Sequence, residues 1–353
     1  MRLEKRASVP PLALLLASVG AVAFTLVVSS LLVLWAGAPV GPTWGHVLHG
    51  GFGSVFAWTE TLTRATPLIL TGLAATIAFK ARLFNIGAEG QLYAGALGAV
   101  AVGGLHGGEG FAAPDALLFA GMVLAAALAG ALLLLGPALM KAKLGVDEVV
   151  TTLLLNFVVL LGVSALLDGA MKDPSAMGWP QSVALKTELE LGRLVEGARL
   201  HTGLLLAAVL AVALWALLRF TPFGFDVRAL GANARAAQFA GVPPTRTLVG
   251  VALLSGALAG LAGAVEVAGR TGYVTLDMSP GYGYSGIVIA MLAGLHPLGV
   301  LAAAVFVAGM LVGADSMSRA VGVPTYIADV IVAASLLAVL VAGLLAQYRV
   351  RWR

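Results

Sequence analysis

Six side chains in this sequence are polar where their neighbours are apolar. Asn85, Glu89 and Gln91 fall in one run, and Glu148, Thr152 and Asn156 in another. None is a nucleophile beside a base. What such groups do inside an apolar run is hydrogen-bond, either to a neighbouring helix or to a polar solute that crosses. Glu89 stands four residues after Asn85, so the two are expected on one helical face, with Gln91 pointing elsewhere. Gly87 and Gly90 beside them let another backbone approach closely. Glu148, Thr152 and Asn156 share a face at i, i+4 and i+8, and Asn156 lies deepest. Each cluster carries two readings: the lining or gate of a polar path, or a polar knot that holds helices together. For the first, Arg82 nearby adds a simple ion pair; for the second, Asp147 and Glu148 also suit a helix start. Tyr284, with Tyr282 and Ser285 among glycines, offers an aromatic face on which a ring can stack.

The chemistry that is missing is as informative. Cysteine is absent, which removes disulfides, thiolate chemistry and Cys-based metal sites. No lysine follows a glycine, so there is no phosphate-binding Gly-Lys-Ser/Thr loop. His46 and His49 stand at i and i+3 without further ligands and read as an amphipathic surface. His-Glu-x-x-His and Gly-x-Ser-x-Gly are both absent. An intramembrane enzyme is not indicated.

The elements that must hold these residues are membrane helices. Of 353 residues, 60% are hydrophobic and 11% charged, against about 25% charged in soluble domains. Apolar runs fall at 11–36, 60–79, 84–104, 115–139, 148–168, 200–218, 248–268, 283–295, 298–315 and 325–346. Their lengths suit a bilayer, which needs roughly 20 apolar residues per crossing. The weakest, 283–295, is short, rich in glycine and followed by Pro297, and reads as a broken or re-entrant helix. The fold expected is a single all-α polytopic membrane domain, 1–353, of about ten helices. Pro11 to Ala36 is too long for a signal sequence and is read as an uncleaved first helix. Gly256-x-x-x-Gly260 predicts a close helix contact.

Lysine and arginine set the orientation. With ten spans and a cytoplasmic N-terminus, 14 of the 21 lie on cytoplasmic segments and 7 outside. Both termini are then cytoplasmic, and the net charge of +4 reflects topology rather than nucleic-acid binding. Residues 41–59 carry Trp44, Phe52, Phe56 and Trp58 with no charge, and read as an outer interfacial segment. Residues 169–199 form the longest outer loop, either a solvated connection or a surface for an external partner. Glu60 and Arg64 read as an i, i+4 ion pair, and Glu266, Asp315 and Asp329 as interfacial acids solvated at outer span ends.

The 219–247 loop is cytoplasmic in this topology. Pro222 and Gly224 end the preceding helix, Asp226 can cap a new one, and 227–240 is rich in alanine with Arg228 and Arg235. Gly241 suits the C′ position, and Pro243 and Pro244 prevent continuation. A short basic helix so bounded lies on the membrane or docks in a partner's groove. Ala236 and Ala237 are small enough for close contact with that partner.

The run Arg235-Ala-Ala-Gln-Phe-Ala-Gly241 resembles the Glu-Ala-Ala-x-x-x-Gly loop of permease subunits in ABC importers, with Arg235 in place of the glutamate and no later Ile-x-Leu-Pro. Phe84-Asn-Ile-Gly-Ala-Glu-Gly-Gln-Leu-Tyr-Ala-Gly-Ala-Leu-Gly98 resembles the hallmark of the nucleoside-type branch. This branch belongs with the simple-sugar and branched-chain amino acid permeases. Lys141-Ala-Lys-Leu-Gly-Val-Asp-Glu-Val-Val-Thr-Thr-Leu-Leu-Leu-Asn156 resembles the same branch, and with Pro67-Leu-Ile-Leu-Thr-Gly72 and the 221–246 loop the resemblance covers most of the chain in matching order.

The resemblance implies the transmembrane subunit of an ATP-driven importer in the cell membrane, with nucleosides as cargo. It implies three partners: a cytoplasmic ABC ATPase that uses ATP and Mg, a second permease, related or identical, and an extracytoplasmic substrate-binding protein. The chain itself would bind no cofactor. Arg228, Arg235, Ala236, Ala237, Gly241 and Pro243 would form the coupling contact. Simple sugars or branched-chain amino acids are the alternative cargo. An ion-coupled secondary transporter is a rival class, but it needs midplane carboxylates, and most acids here lie near span ends.

Overall fold

The computed structural model describes residues 2–5, 11–106, 108–322, 324, 326–327, 330, 332–334, 337–338, 341–342 and 348–351. It is almost entirely helical. Two compact units emerge: Leu62–Ala304, and Met1–Thr61 together with Val305–Arg353.

In the second of these, α1 (Pro11–Trp35) is followed by α2 (Val40–Phe52) across a 117° bend. The bend follows from Gly37, at φ +76°, and Pro39. Consequently α2 turns away from the line of α1. Gly50 and Gly51 let it press on the latter part of α12 (Pro297–Val321), where added Cβ atoms would strike Ser316 and the Gly309 carbonyl. The aromatic 41–59 segment is thus a helix packed on a neighbour up to Phe52, a break at Gly53 and Ser54, and the start of the next helix. Phe56 and Trp58 remain exposed on α3 (Val55–Lys80). A two-stranded antiparallel ribbon, β1 (Arg2–Lys5) with β2 (Tyr348–Arg351), joins the two ends of the chain.

The Leu62–Ala304 unit is built on α4 (Ala88–Gly103), α5 (Asp115–Leu144) and α10 (Pro244–Glu266). These helices meet backbone to backbone. A Cβ on Gly256 would strike the Gly130 carbonyl, one on Gly260 the Ala126 carbonyl, and one on Gly263 the Leu92 carbonyl. The Gly256/Gly260 contact expected from sequence is therefore present, and its partner is α5. Helix α3 is buried on nearly all sides, whereas α6 (Glu148–Asp168) and α7 (Gly203–Phe220) are largely exposed. In water such exposure of Leu, Val and Phe would be prohibitive; in lipid it is the expected outer surface.

Among the described residues, six helices are long and apolar enough to cross a bilayer, or seven with the bent pair. Helix α4, at 16 residues, and α11 (Tyr282–Leu292), at 11, span about 24 and 16 Å, less than the ~30 Å of a hydrocarbon core. The short α11 matches the broken span read at 283–295. It begins after Gly281 (φ +85°) and ends at a turn through Gly294 (φ +59°) and Leu295 (φ +57°). The run 325–346 lies only partly within the described residues, and Asp329 lies outside them.

The 169–199 segment is not a free loop. Its backbone pairs with the chain just beyond α10: Leu191 N–H to Ala268 O at 2.8 Å, Leu185 N–H to Gly272 O at 2.7 Å, and Ser182 N–H to Val274 O at 2.9 Å. Val183, Leu185 and Leu189 are buried beneath it, while Met177 and Trp179 stand out from its tip. His201, where the segment joins α7, is buried with Gly203 and Gly269 against its ring. Burial, and then the Arg193 charge, lower its pKa to about 4.

Candidate functional site

The two polar clusters form one construction. Residues 81–87 cross from α3 to α4, and the polar face of α6 runs alongside them. Glu148 Oε1 accepts the Phe84 N–H at 3.1 Å, and Thr152 Oγ1 accepts the Ile86 N–H at 3.2 Å. Asn156 Oδ1 accepts the Gly90 N–H at 2.9 Å, while its Nδ2 donates to the Ile86 carbonyl at 2.9 Å. One face of α6 therefore clamps the Phe84–Gly90 backbone at three successive turns. Helix α6 is started by Asp147, whose side chain accepts the Val149 N–H at 2.8 Å. Lys141, in the last turn of α5, reaches Glu148 and the Arg82 carbonyl. The glycines are required by this closeness. A Cβ on Gly90 would lie 2.9 Å from Asn156 Oδ1, and one on Gly87 would lie 3.1 Å from the Thr152 carbonyl.

Helical spacing does not hold for the amides. Asn85 precedes the helix, which starts at Ala88, so Asn85 and Glu89 do not share a helical face. Asn85 instead faces Gln91, and the two amides exchange hydrogen bonds at 2.9 Å in both directions. Asn85 also donates to Ser255 Oγ at 3.2 Å, and Ser255 donates to the Ala74 carbonyl at 2.8 Å. This chain ties α3, α4 and α10 together. Among the described residues Arg82 makes no ion pair with the cluster; its guanidinium lies 3.4 Å from the Ala232 carbonyl.

Glu89 points the other way, to the start of α11. Its Oε2 accepts the Gly283 N–H at 2.6 Å, with Ser279 and Gly281 as further partners. A carboxylate at that position satisfies amides that the broken helix leaves without intrahelical partners. Thr71 donates to the Tyr282 carbonyl at 2.9 Å, and Gly283 and Gly286 lie against α4 and α3. Glu266, expected at a solvated interface, is instead buried and pairs with Arg270 across a π-turn at Val267–Thr271. Arg64 lies within electrostatic reach of Glu266, and Arg270 also contacts the Tyr282 hydroxyl at 3.3 Å.

Of the seven residues read as a path lining, Asn85, Glu89, Gln91, Glu148, Thr152 and Asn156 are all buried and bonded within the chain. Tyr284 differs. Its hydroxyl accepts from Asn156 Nδ2 at 3.0 Å, yet the residue is 38% exposed. On α11 it is continued by the half-buried Ile287 and Val288 and the exposed Met291.

At the other candidate site the single helix expected over 226–243 is two. Thr221, not Asp226, caps α8 (Pro222–Ala232), accepting the Gly224 N–H at 3.1 Å, and Pro222 opens the helix rather than only ending the one before. Asn233 breaks it and caps α9 (Ala234–Phe239), accepting the Arg235 and Ala236 N–H groups at 3.1 and 3.2 Å. Gly241 has φ +90°, as its C′ reading requires, and Pro243 precedes α10. Arg228, Arg235, Ala236, Gly241 and Pro243 are exposed, but Ala237 is buried against its own chain and cannot be a contact surface. The residue that sequence reasoning misses is Phe239, 94% exposed beside Arg235 and Gln238. As the single aromatic of the alanine-rich 227–240 stretch, it carries a signal that could have found it.

A family model for the permease component of branched-chain amino acid transport systems matches residues 57–340. The chain belongs to this permease family. The guanosine ABC transporter permease NupP of Bacillus subtilis (strain 168) is 34% identical to this permease over 317 residues, 89% of each chain. The glucose ABC transporter permease TsgB13 of Haloferax volcanii is 39% identical over 307 residues, 84% of this permease and 79% of that one. The nucleoside ABC transporter permease NupB of Lactococcus lactis subsp. cremoris is 30% identical over 329 residues, 89% and 87% of the two chains. The permease is a multi-pass membrane component of an ABC importer, and ATP hydrolysis belongs to a separate ATPase.

Proposed function

We propose that this permease imports nucleosides. The observation that carries the reading is its likeness to a guanosine permease along 89% of both chains. A simple sugar is the second reading, favoured by the 39% identity to a glucose permease. Uptake of labelled guanosine and glucose by the source organism, with and without this gene, separates the two. Loss of guanosine uptake alone supports the proposal; loss of glucose uptake alone overturns it.

A path between two permeases must run along a surface that each chain leaves open. Tyr284, Ile287, Val288 and Met291 meet that requirement on α11, and the Tyr284 ring can stack on a base. Asn85, Glu89, Gln91, Glu148, Thr152 and Asn156 hold α11 and α4 in place behind it. The second permease, related or identical, would face this surface. An extracytoplasmic binding protein would deliver substrate at the 169–199 end, where Met177 and Trp179 project. The cytoplasmic ATPase, with its ATP and Mg, would dock on Arg228, Arg235, Ala236, Phe239, Gly241 and Pro243 of the 219–247 loop. Both termini would be cytoplasmic. The 14-to-7 distribution of Lys and Arg supports this, and the β1–β2 ribbon supports an even number of crossings.

A further inference from the structure

One cavity lies apart from the polar clamp and shares only Arg228 with the α8–α9 loop. It has a volume of about 290 Å³ and opens at the membrane end where α3 and α7 finish and α12 begins. Lys80, Arg219, Arg228 and His296 line it, with Trp215 and Leu218 as its apolar wall. No carboxylate is in the described lining. Among the described residues, Lys80, Arg219 and Arg228 form no ion pair. The Arg228 guanidinium is close enough to repel the Lys80 ammonium. Lys80 is half-buried, so water screens that repulsion incompletely.

Cations gathered without a counter-charge are unfavourable unless an anion joins them. The position says what kind. The residues sit at the ends of apolar helices, where phospholipid headgroups lie, and Trp215 has the amphipathic ring typical of that level. The exposed Phe220 beside it, at 5.4 Å between ring centroids, extends an apolar surface for acyl chains. We propose that this cavity binds the phosphodiester of an anionic phospholipid. Arg219 and Arg228 present planar forks that match phosphate oxygens, and Lys80 adds a point charge. The lipid would bridge α8 to α3 and α7. This goes beyond the transport reading and does not depend on the cargo.

The test is native mass spectrometry of the purified full chain in detergent, titrated with phosphatidylglycerol or phosphatidylcholine. Wild type should retain phosphatidylglycerol preferentially. One basic contact is worth about a fivefold change in binding, so Lys80→Gln/Arg219→Gln should lower retention by about 30-fold. Lys143→Gln, an exposed cation away from the cavity, should change nothing. If the double variant does not fold, Arg219→Gln alone, at an exposed position, should still show the fivefold loss. Equal retention by wild type and a folded cavity variant overturns the proposal. Displacement of the lipid by equimolar inorganic phosphate would also overturn it, because the site would then serve a soluble anion.

Discussion

Asn156→Ala tests whether the α6 face is a clamp or a substrate contact. The substitution strands the Gly90 N–H, the Ile86 carbonyl and the Tyr284 hydroxyl, each now within 3.0 Å of the amide. Tyr284 is partly exposed and can find another partner. Gly90 is buried, so its N–H cannot readily do so, while the half-buried Ile86 carbonyl regains part of what it loses. At about 1–3 kcal/mol for each stranded backbone group, the cost is about 2–4 kcal/mol, since Ile86 recovers part. The assay is thermal unfolding in detergent beside uptake in cells, with Phe157→Leu as a control on the exposed face of the same helix. The expected result is a clear fall in melting temperature for Asn156→Ala, with uptake falling in proportion to folded protein. Unchanged melting with uptake abolished would refute the clamp and make Asn156 a substrate contact.

Phe239→Ala should leave insertion and melting unchanged but reduce co-purification of the ATPase, whereas Ala237→Glu should also destabilise the loop because Ala237 is buried; co-purification assays and melting curves distinguish them. Gly231→Ala would press a methyl onto the Lys80 carbonyl and shift α8, costing about 1–3 kcal/mol as overpacking does, measurable by melting. Acidification should loosen the 169–202 segment. An unfolded His201 takes up a proton below about pH 6.5, but the folded one resists until about 4. Stability therefore falls as pH drops through that window, by roughly 3 kcal/mol in total, and His201→Gln should flatten the dependence seen in hydrogen exchange.

The helices are legible in the sequence because apolar length and charge placement report directly on a bilayer. The Glu148–Asp168 helix coincides with its apolar run, and the broken character of α11 follows from its glycines. Pairing between segments is not legible. Asn85 and Gln91 meet because the chain turns before Ala88, and no spacing rule for helices applies to a residue outside one. Glu266 looks interfacial because sequence depth says nothing of which partner, here Arg270, comes with it into the interior. The short helical loop at 219–247 is visible in its place, but Asn233 acts locally as a cap and splits it. Which alanine faces inward depends on that split, so spacing alone offers Ala237 as a contact and passes over Phe239.

In the proposed function, an ATPase acting on the α8–α9 loop drives the movement of solute through this permease. The most direct test is uptake of labelled guanosine into proteoliposomes holding this chain with its partner permease and ATPase, with the binding protein outside. Uptake should require ATP on the ATPase side and be lost with Phe239→Ala while the melting of the permease itself is unchanged. Guanosine accumulation by this chain alone, driven by an ion gradient and indifferent to ATP, would contradict the coupling described here.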